Sequence, residues 1–132
     1  MVGETNLDTL LKSMSPILHP EEYVFCTINH NDTNYLPLDP VCIFKEDEGL
    51  TLILEREKAD VNNFSYSSVF CMITLSVHSS LEAVGFLAAI TSKLADFGIS
   101  VNPVSAYYHD HLFIPTSQAN LTMKLLTTFN QK

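Results

Sequence analysis

Two histidines bracket an aspartate in the stretch YYHDHLFIP, residues 107–115. On an extended segment His109 and His111 would fall on one side, a workable pair of imidazole ligands for a metal. A zinc site needs three or four ligands, however. The other histidines, His19, His30 and His78, read as lying in different loops. No pair among Cys26, Cys42 and Cys71 has ligand spacing, and there is no C-x-x-C. The pattern therefore favours no bound metal and a tight turn at His109-Asp110, a conformation Asp110 tolerates better than most residues. Such a turn would expose His109 and Asp110 and could offer the Asp110 carboxylate to an ammonium group.

A second candidate is SVHSSLEAVGF, residues 76–86. Ser79, Ser80, Leu81 and Glu82 fit an S-x-x-E capping box, with the Ser79 hydroxyl accepting from an amide of the first turn and Glu82 reaching back. One reading is a well-started helix. The other uses the same geometry: free amides and the positive end of the helix dipole suit a carboxylate. Gly85 would lie one turn inside that helix, where glycine costs about 1 kcal/mol against alanine. Its presence suggests a close approach to the backbone, by a packed element or by a ligand.

Signs of catalysis are weak. Ser79 follows His78 directly, which would point the two side chains oppositely in an extended strand. Cys71 with His109 or His111 has no local signature. There is no G-x-S-x-G, P-loop or G-x-G-x-x-G. The sequence reads as that of a binding protein, not an enzyme, with no cofactor expected.

The elements that must position these groups are legible in outline. Asn6–Ser13 reads as a short amphipathic helix capped by Asn6, with Leu7, Leu10, Leu11 and Met14 at helical spacing. Tyr23–Ile28 reads as a strand, followed by a polar loop at residues 29–40. Val41–Lys45 and Leu50–Glu55 read as strands joined at EDEG, where Gly49 supplies permissive backbone. Residues 55–63 suggest a short helix or turn. Val69–Val77 reads as a buried strand and Leu81–Phe97 as a helix with Phe86, Ile90, Leu94 and Phe97 on its apolar face. Gly98 follows in the position where a left-handed residue ends a helix. Ile99–Tyr108 and His111–Ile114 read as strands, and Ala119–Phe129 as a closing helix with Leu121, Leu125 and Phe129 inward. The order β-α-β-β-α lacks one strand of a ferredoxin-like unit, which an N-terminal strand must supply.

Composition sets the outer limits. The 132 residues suit one compact domain or two small ones sharing a core, and 46% hydrophobic content argues against disorder. The net charge of −8 lies wholly in residues 1–65, with 12 acids against 4 bases, while residues 66–132 hold 3 of each. No basic patch is present to bind nucleic acid, and an acidic half disfavours anionic membranes. No run of 18 apolar residues exists, and the polar, acidic start does not read as a signal peptide. A cytoplasmic protein is expected, with the three cysteines reduced and buried.

The segments CMITLSV, SSLEAVGFLAAITSKLADFGISVN and SAYYHDHLFIP, with the last helix, resemble an ACT domain over most of residues 68–129. YVFCTI and EDEGLTLILE resemble the N-terminal half of small stand-alone bacterial proteins with paired ACT-like units. The resemblance implies an α+β, ferredoxin-like fold. An N-terminal ACT-like half (1–65) would intertwine with a C-terminal ACT domain (66–132), forming antiparallel sheets with helices on one face. It also implies a regulatory or sensor module that binds a small molecule, an amino acid or similar zwitterion, at an interface between ACT units. Residue by residue, Ser79, Ser80, Leu81, Glu82, Ala83, Val84 and Gly85 match the loop and first turn that supply amides. Ile99, Ser100 and Asn102 match the strand start that lines the pocket, and Asp110 matches the acidic position at the hairpin tip. With no catalytic domain in these residues, regulation would act in trans. Sheet edges left open favour a homodimer or larger homo-oligomer. The alternatives are an interaction protein without a ligand and, less favoured, a small enzyme.

Overall fold

A computed structural model gives the fold and describes residues 6–77 and 83–130. The first element is α1 (Leu7–Ser13), capped by Asn6, whose side-chain oxygen accepts from the Thr9 amide at 3.0 Å. β1 (Ser15–Ile28) follows at once and is far longer than its sequence suggests, because Pro16 and Pro20 conceal its first half. A polar loop with one 3-10 turn (Leu36–Leu38) leads to β2 (Cys42–Lys45), β3 (Leu50–Glu55) and α2 (Arg56–Val61). Then come β4 (Phe70–Ser76), α3 (Phe86–Asp96), β5 (Asn102–Ser105), β6 (Asp110–Pro115) and α4 (Ala119–Thr127).

The chain forms two compact units. One comprises Glu21–Phe70, and the other joins Met1–Pro20 to Cys71–Lys132. The strand-rich Glu21–Phe70 unit has the order β2-β3-β1. β1 pairs antiparallel with β3, Tyr23 opposite Glu55 and Ile28 opposite Leu50, and β2 pairs antiparallel with β3. Val24, Cys26, Leu52, Leu54 and Ala59 of α2 make its core, as the period-two alternation of the strands requires.

The other unit has the order β1-β4-β6-β5, with the first part of β1 as the outer strand. This is the ferredoxin-like arrangement. The missing strand does come from the N-terminal part, but from Ser15–Pro20, which carries no strand signal of its own. Cys71, Ile73 and Leu75 of β4 and Leu112 and Ile114 of β6 point to one side. There they pack with Leu10 and Met14 before β1, Phe86, Ile90 and Leu94 of α3, and Leu125 and Leu126 of α4. The α+β fold with antiparallel strands and helices is as expected. Asn130 closes the unit: its side-chain amide donates to Lys12 O and Met14 O at 2.8 and 2.9 Å, among carbonyls that the end of α1 leaves unpaired.

Several local expectations need correction. α3 starts at Phe86 and not at Leu81, because Gly85 adopts φ +90°, which a right-handed helix cannot continue through. Gly85 is the residue before the helix, not one turn inside it. Phe97 is 53% exposed, because it lies past the last full turn. Gly98, at φ +72°, does end the helix. Its amide donates to Ala95 O and that of Ile99 to Leu94 O, the paired bonds of a Schellman ending. In α4 the inward residues are Thr122, Leu125 and Leu126, while Leu121 is exposed. Cys26 and Cys71 are buried, whereas Cys42, on the outer strand β2, is only half-buried. Among the described residues no helix is long and apolar enough to cross a membrane.

Candidate functional site

The β5–β6 hairpin turns two residues earlier than its sequence suggests. The Ala106 amide donates to His109 O at 3.0 Å, so the tip is Tyr107-Tyr108. Both rings are 65% exposed and stack edge to face with centroids 5.0 Å apart. Tyrosines at a tip defeat the usual turn signal, which looks for glycine, asparagine or aspartate.

Asp110 is thereby moved from the tip into β6, on the first rung of the hairpin opposite Ser105. It is only 9% exposed, and its carboxylate accepts from the Ser105 hydroxyl at 2.5 Å. Among the described residues no lysine, arginine or histidine forms an ion pair with it. Burial makes a carboxylate's charge costly, so a counter-charge beside this one would be favourable. Alternation along β6 puts Asp110 on the same side as Leu112 and Ile114, the side covered by the helices.

The start of α3 belongs to the same unit. Its N-cap residue, Gly85, has no side chain with which to cap the first-turn amides, the groups that a helix start leaves without intrahelical partners. Ser79, Ser80, Leu81 and Glu82, with the expected capping box, lie outside the described residues. Ala83 and Val84 are non-helical, and Val84 is 84% exposed. A Cβ on Gly85 would meet only Leu7 Cδ2, at an ordinary 3.6 Å, so conformation and not crowding calls for glycine here.

Ile99 is buried and Ser100 exposed, and neither is in a strand. Ile99 also lines an open groove with Val101, Pro103 and the small residues Ala88, Thr91, Ser92 and Ala95 of α3. Asn102 begins β5, and its side-chain amide approaches Phe113 O at 3.4 Å. Asp110 does not line this groove.

The opposite side of the sheet carries a cluster that the sequence conceals. His19 of β1, expected in a loop, reaches Thr74 Oγ1 of β4 through Nε2 at 2.7 Å. The same hydroxyl contacts His111 Nδ1 of β6 at 2.9 Å. His109 lies beside them, its ring 6.4 Å from that of His111 and its Nδ1 3.2 Å from Val77 O. Burial holds His111 below the ordinary imidazole range, His109 and His19 lower it further, and Asp110 pulls the other way. Among the described residues no three His, Cys, Asp or Glu side chains converge as metal ligands. Only the strand register joins His19 to Thr74, 55 residues away.

Comparisons with known proteins bear on this geometry. One ACT-domain family model matches residues 2–82 and a second matches residues 53–128. A Vibrio cholerae protein of unknown function, described as a possible transport protein, is 49% identical and superposes with a TM-score of 0.87. That match covers 95% of this chain and 96% of the other. An Agrobacterium tumefaciens protein is 16% identical with a TM-score of 0.75, covering 89% of each chain. The regulatory subunit of aspartate kinase from Thermus flavus is 8% identical with a TM-score of 0.60, covering 86% of this chain and 95% of its own. At such low identity the last two show the fold alone. No protein of curated function matches the sequence.

Proposed function

We propose, because the chain belongs to the ACT-domain family, that it is a regulatory module that binds an amino acid or similar zwitterion and acts on a separate protein. The observation that carries this is Asp110, a carboxylate 9% exposed that, among the described residues, has the Ser105 hydroxyl as its side-chain partner. A ligand ammonium would supply a counter-charge. The ligand carboxylate would then meet backbone amides of Ser79–Gly85 and the start of α3, where dipole and donors both favour an anion.

The residues assigned to this site are Ser79, Ser80, Leu81, Glu82, Ala83, Val84, Gly85 and Asp110, with Ile99, Ser100 and Asn102 at its apolar edge. The Thermus flavus regulatory subunit shares the fold, which supports regulation in trans as the arrangement. Calorimetry with the twenty amino acids tests the reading. One of them should bind the wild type and bind Asp110→Asn far more weakly. No heat with any of them, or equal affinity in the variant, would reject it.

One observation favours a second reading, a protein-interaction module. β5 is an outermost strand and presents an open sheet edge. A second copy pairing along such an edge is the occupant we assign, giving a homodimer or larger assembly. Light scattering at micromolar concentration that finds only 14.8 kDa particles would count against it.

A further inference from the structure

The imidazoles of His19 and His111 meet a single hydroxyl, and the arithmetic of that hydroxyl is restrictive. Thr74 Oγ carries one proton and two acceptor positions. It can donate to one ring nitrogen while accepting an N–H from the other ring. With both rings neutral, this satisfies the hydroxyl and both facing nitrogens. If one proton is added, the donor ring can take it on its far nitrogen and the pattern survives. If both rings are protonated, both facing nitrogens become donors and the hydroxyl proton loses its acceptor. Thr74 is only 7% exposed, so water is poorly placed to replace it. The row therefore accommodates one imidazolium and not two.

The row also spans three neighbouring strands, His19 on β1, Thr74 on β4 and His111 on β6. Its outermost member sits on Ser15–Pro20, the segment that completes this sheet from the far end of the sequence. The groups acting on His111 are His109 and His19, which disfavour its charge, and Asp110, which favours it. A second proton is disfavoured while His19 holds Thr74, and losing that contact removes a tie between the first part of β1 and β4.

We propose that the His19–Thr74–His111 row is an acid-opened latch holding the first part of β1 to β4. At neutral pH the latch is closed. As pH falls below the free-imidazole value of about 6.5, the parted pair binds a second proton that the closed row disfavours, with His111 the ring held low. The free energy of closure is complete above that pH and is lost progressively below it. The latch lies on the side of the sheet away from Asp110, so it stands or falls independently of the ligand reading.

Amide hydrogen exchange on the wild-type protein between pH 7.5 and 5.0 tests this. Corrected for intrinsic rates, the amides of Ser15–Pro20 that are protected at pH 7.5 should open about tenfold more for each proton refused per pH unit. Those of β5 should change little over the same range. Uniform loss of protection across both strands, or none in either, would overturn the latch. His19→Gln removes one imidazole and should flatten the acid response of β1. The same acid response in that variant would also overturn the proposal. Should the variant fail to fold, the wild-type profile decides alone.

Discussion

Gly49 lies so close to the backbone of Ile28 that a Cβ there would be 2.7 Å from Ile28 O and 2.9 Å from Thr27 Oγ1. Its φ is not positive, so the reason for glycine is space, not conformation. Gly98 is the converse: at φ +72° nothing lies within 4 Å of a Cβ.

Substitution should separate the two causes. Gly49→Ala overpacks a strand pair and should cost about 1–3 kcal/mol, with Gly49→Asn worse. Gly98→Ala should cost about 1–2 kcal/mol from the left-handed backbone, with Gly98→Asn milder because asparagine visits that region. Urea denaturation of the four variants checks the opposite ordering.

Asp110→Asn keeps the size of the side chain and an oxygen to accept from Ser105, so stability should change little. Binding of a zwitterion should weaken by about 1.5–3 kcal/mol, the value of a hydrogen bond to a charged group. That is roughly tenfold to over a hundredfold in Kd. Calorimetry and a melting curve on the same variant distinguish a lost ligand contact from a lost fold.

Burial raises the pKa of all three thiols above the ordinary cysteine value. The thiolate is the reactive form, so each should alkylate more slowly than a free thiol at pH 7.5. Cys42, half-buried on β2, should react before Cys26 and Cys71. Mass spectrometry of timed iodoacetamide labelling gives the order.

Asn130→Ala removes the donors from the end of α1. The loss should be about 1–2 kcal/mol, one or two hydrogen bonds at about 1 kcal/mol each. Asn130→Asp should be worse, since a carboxylate would then face carbonyl oxygens. Urea midpoints for the two variants test the ordering.

The sequence made much of this legible, and the gaps have physical causes. Helical spacing with Gly98 at the stop placed the end of α3, because a left-handed glycine leaves a local mark. Its start was misread, since S-x-x-E fits a capping box whether or not Gly85 then breaks the helix. The first half of β1 was missed because its prolines, tolerated on an outer strand, read as loop. That omission also hid the contact of His19 with Thr74, which arises from strand pairing alone. Asp110 reads from sequence as a residue at the hairpin tip, but two tyrosines in the turn displace it into the strand. What brings residues together across such distances is written in register, not in motif.

The contact of Asn130 with the end of α1 also bears on how the chain is made. Asn130 and Met14 are 116 residues apart. At about 5–20 residues per second of synthesis, roughly 6–23 seconds separate the emergence of the two. For much of that interval Leu10 and Met14, each no more than 1% exposed in the finished protein, lack part of the cluster that covers them, whose members run from Cys71 to Leu126. Core residues made before most of this fold are thus covered only late, and the segment around α1 is where a chaperone would be expected to hold the nascent chain.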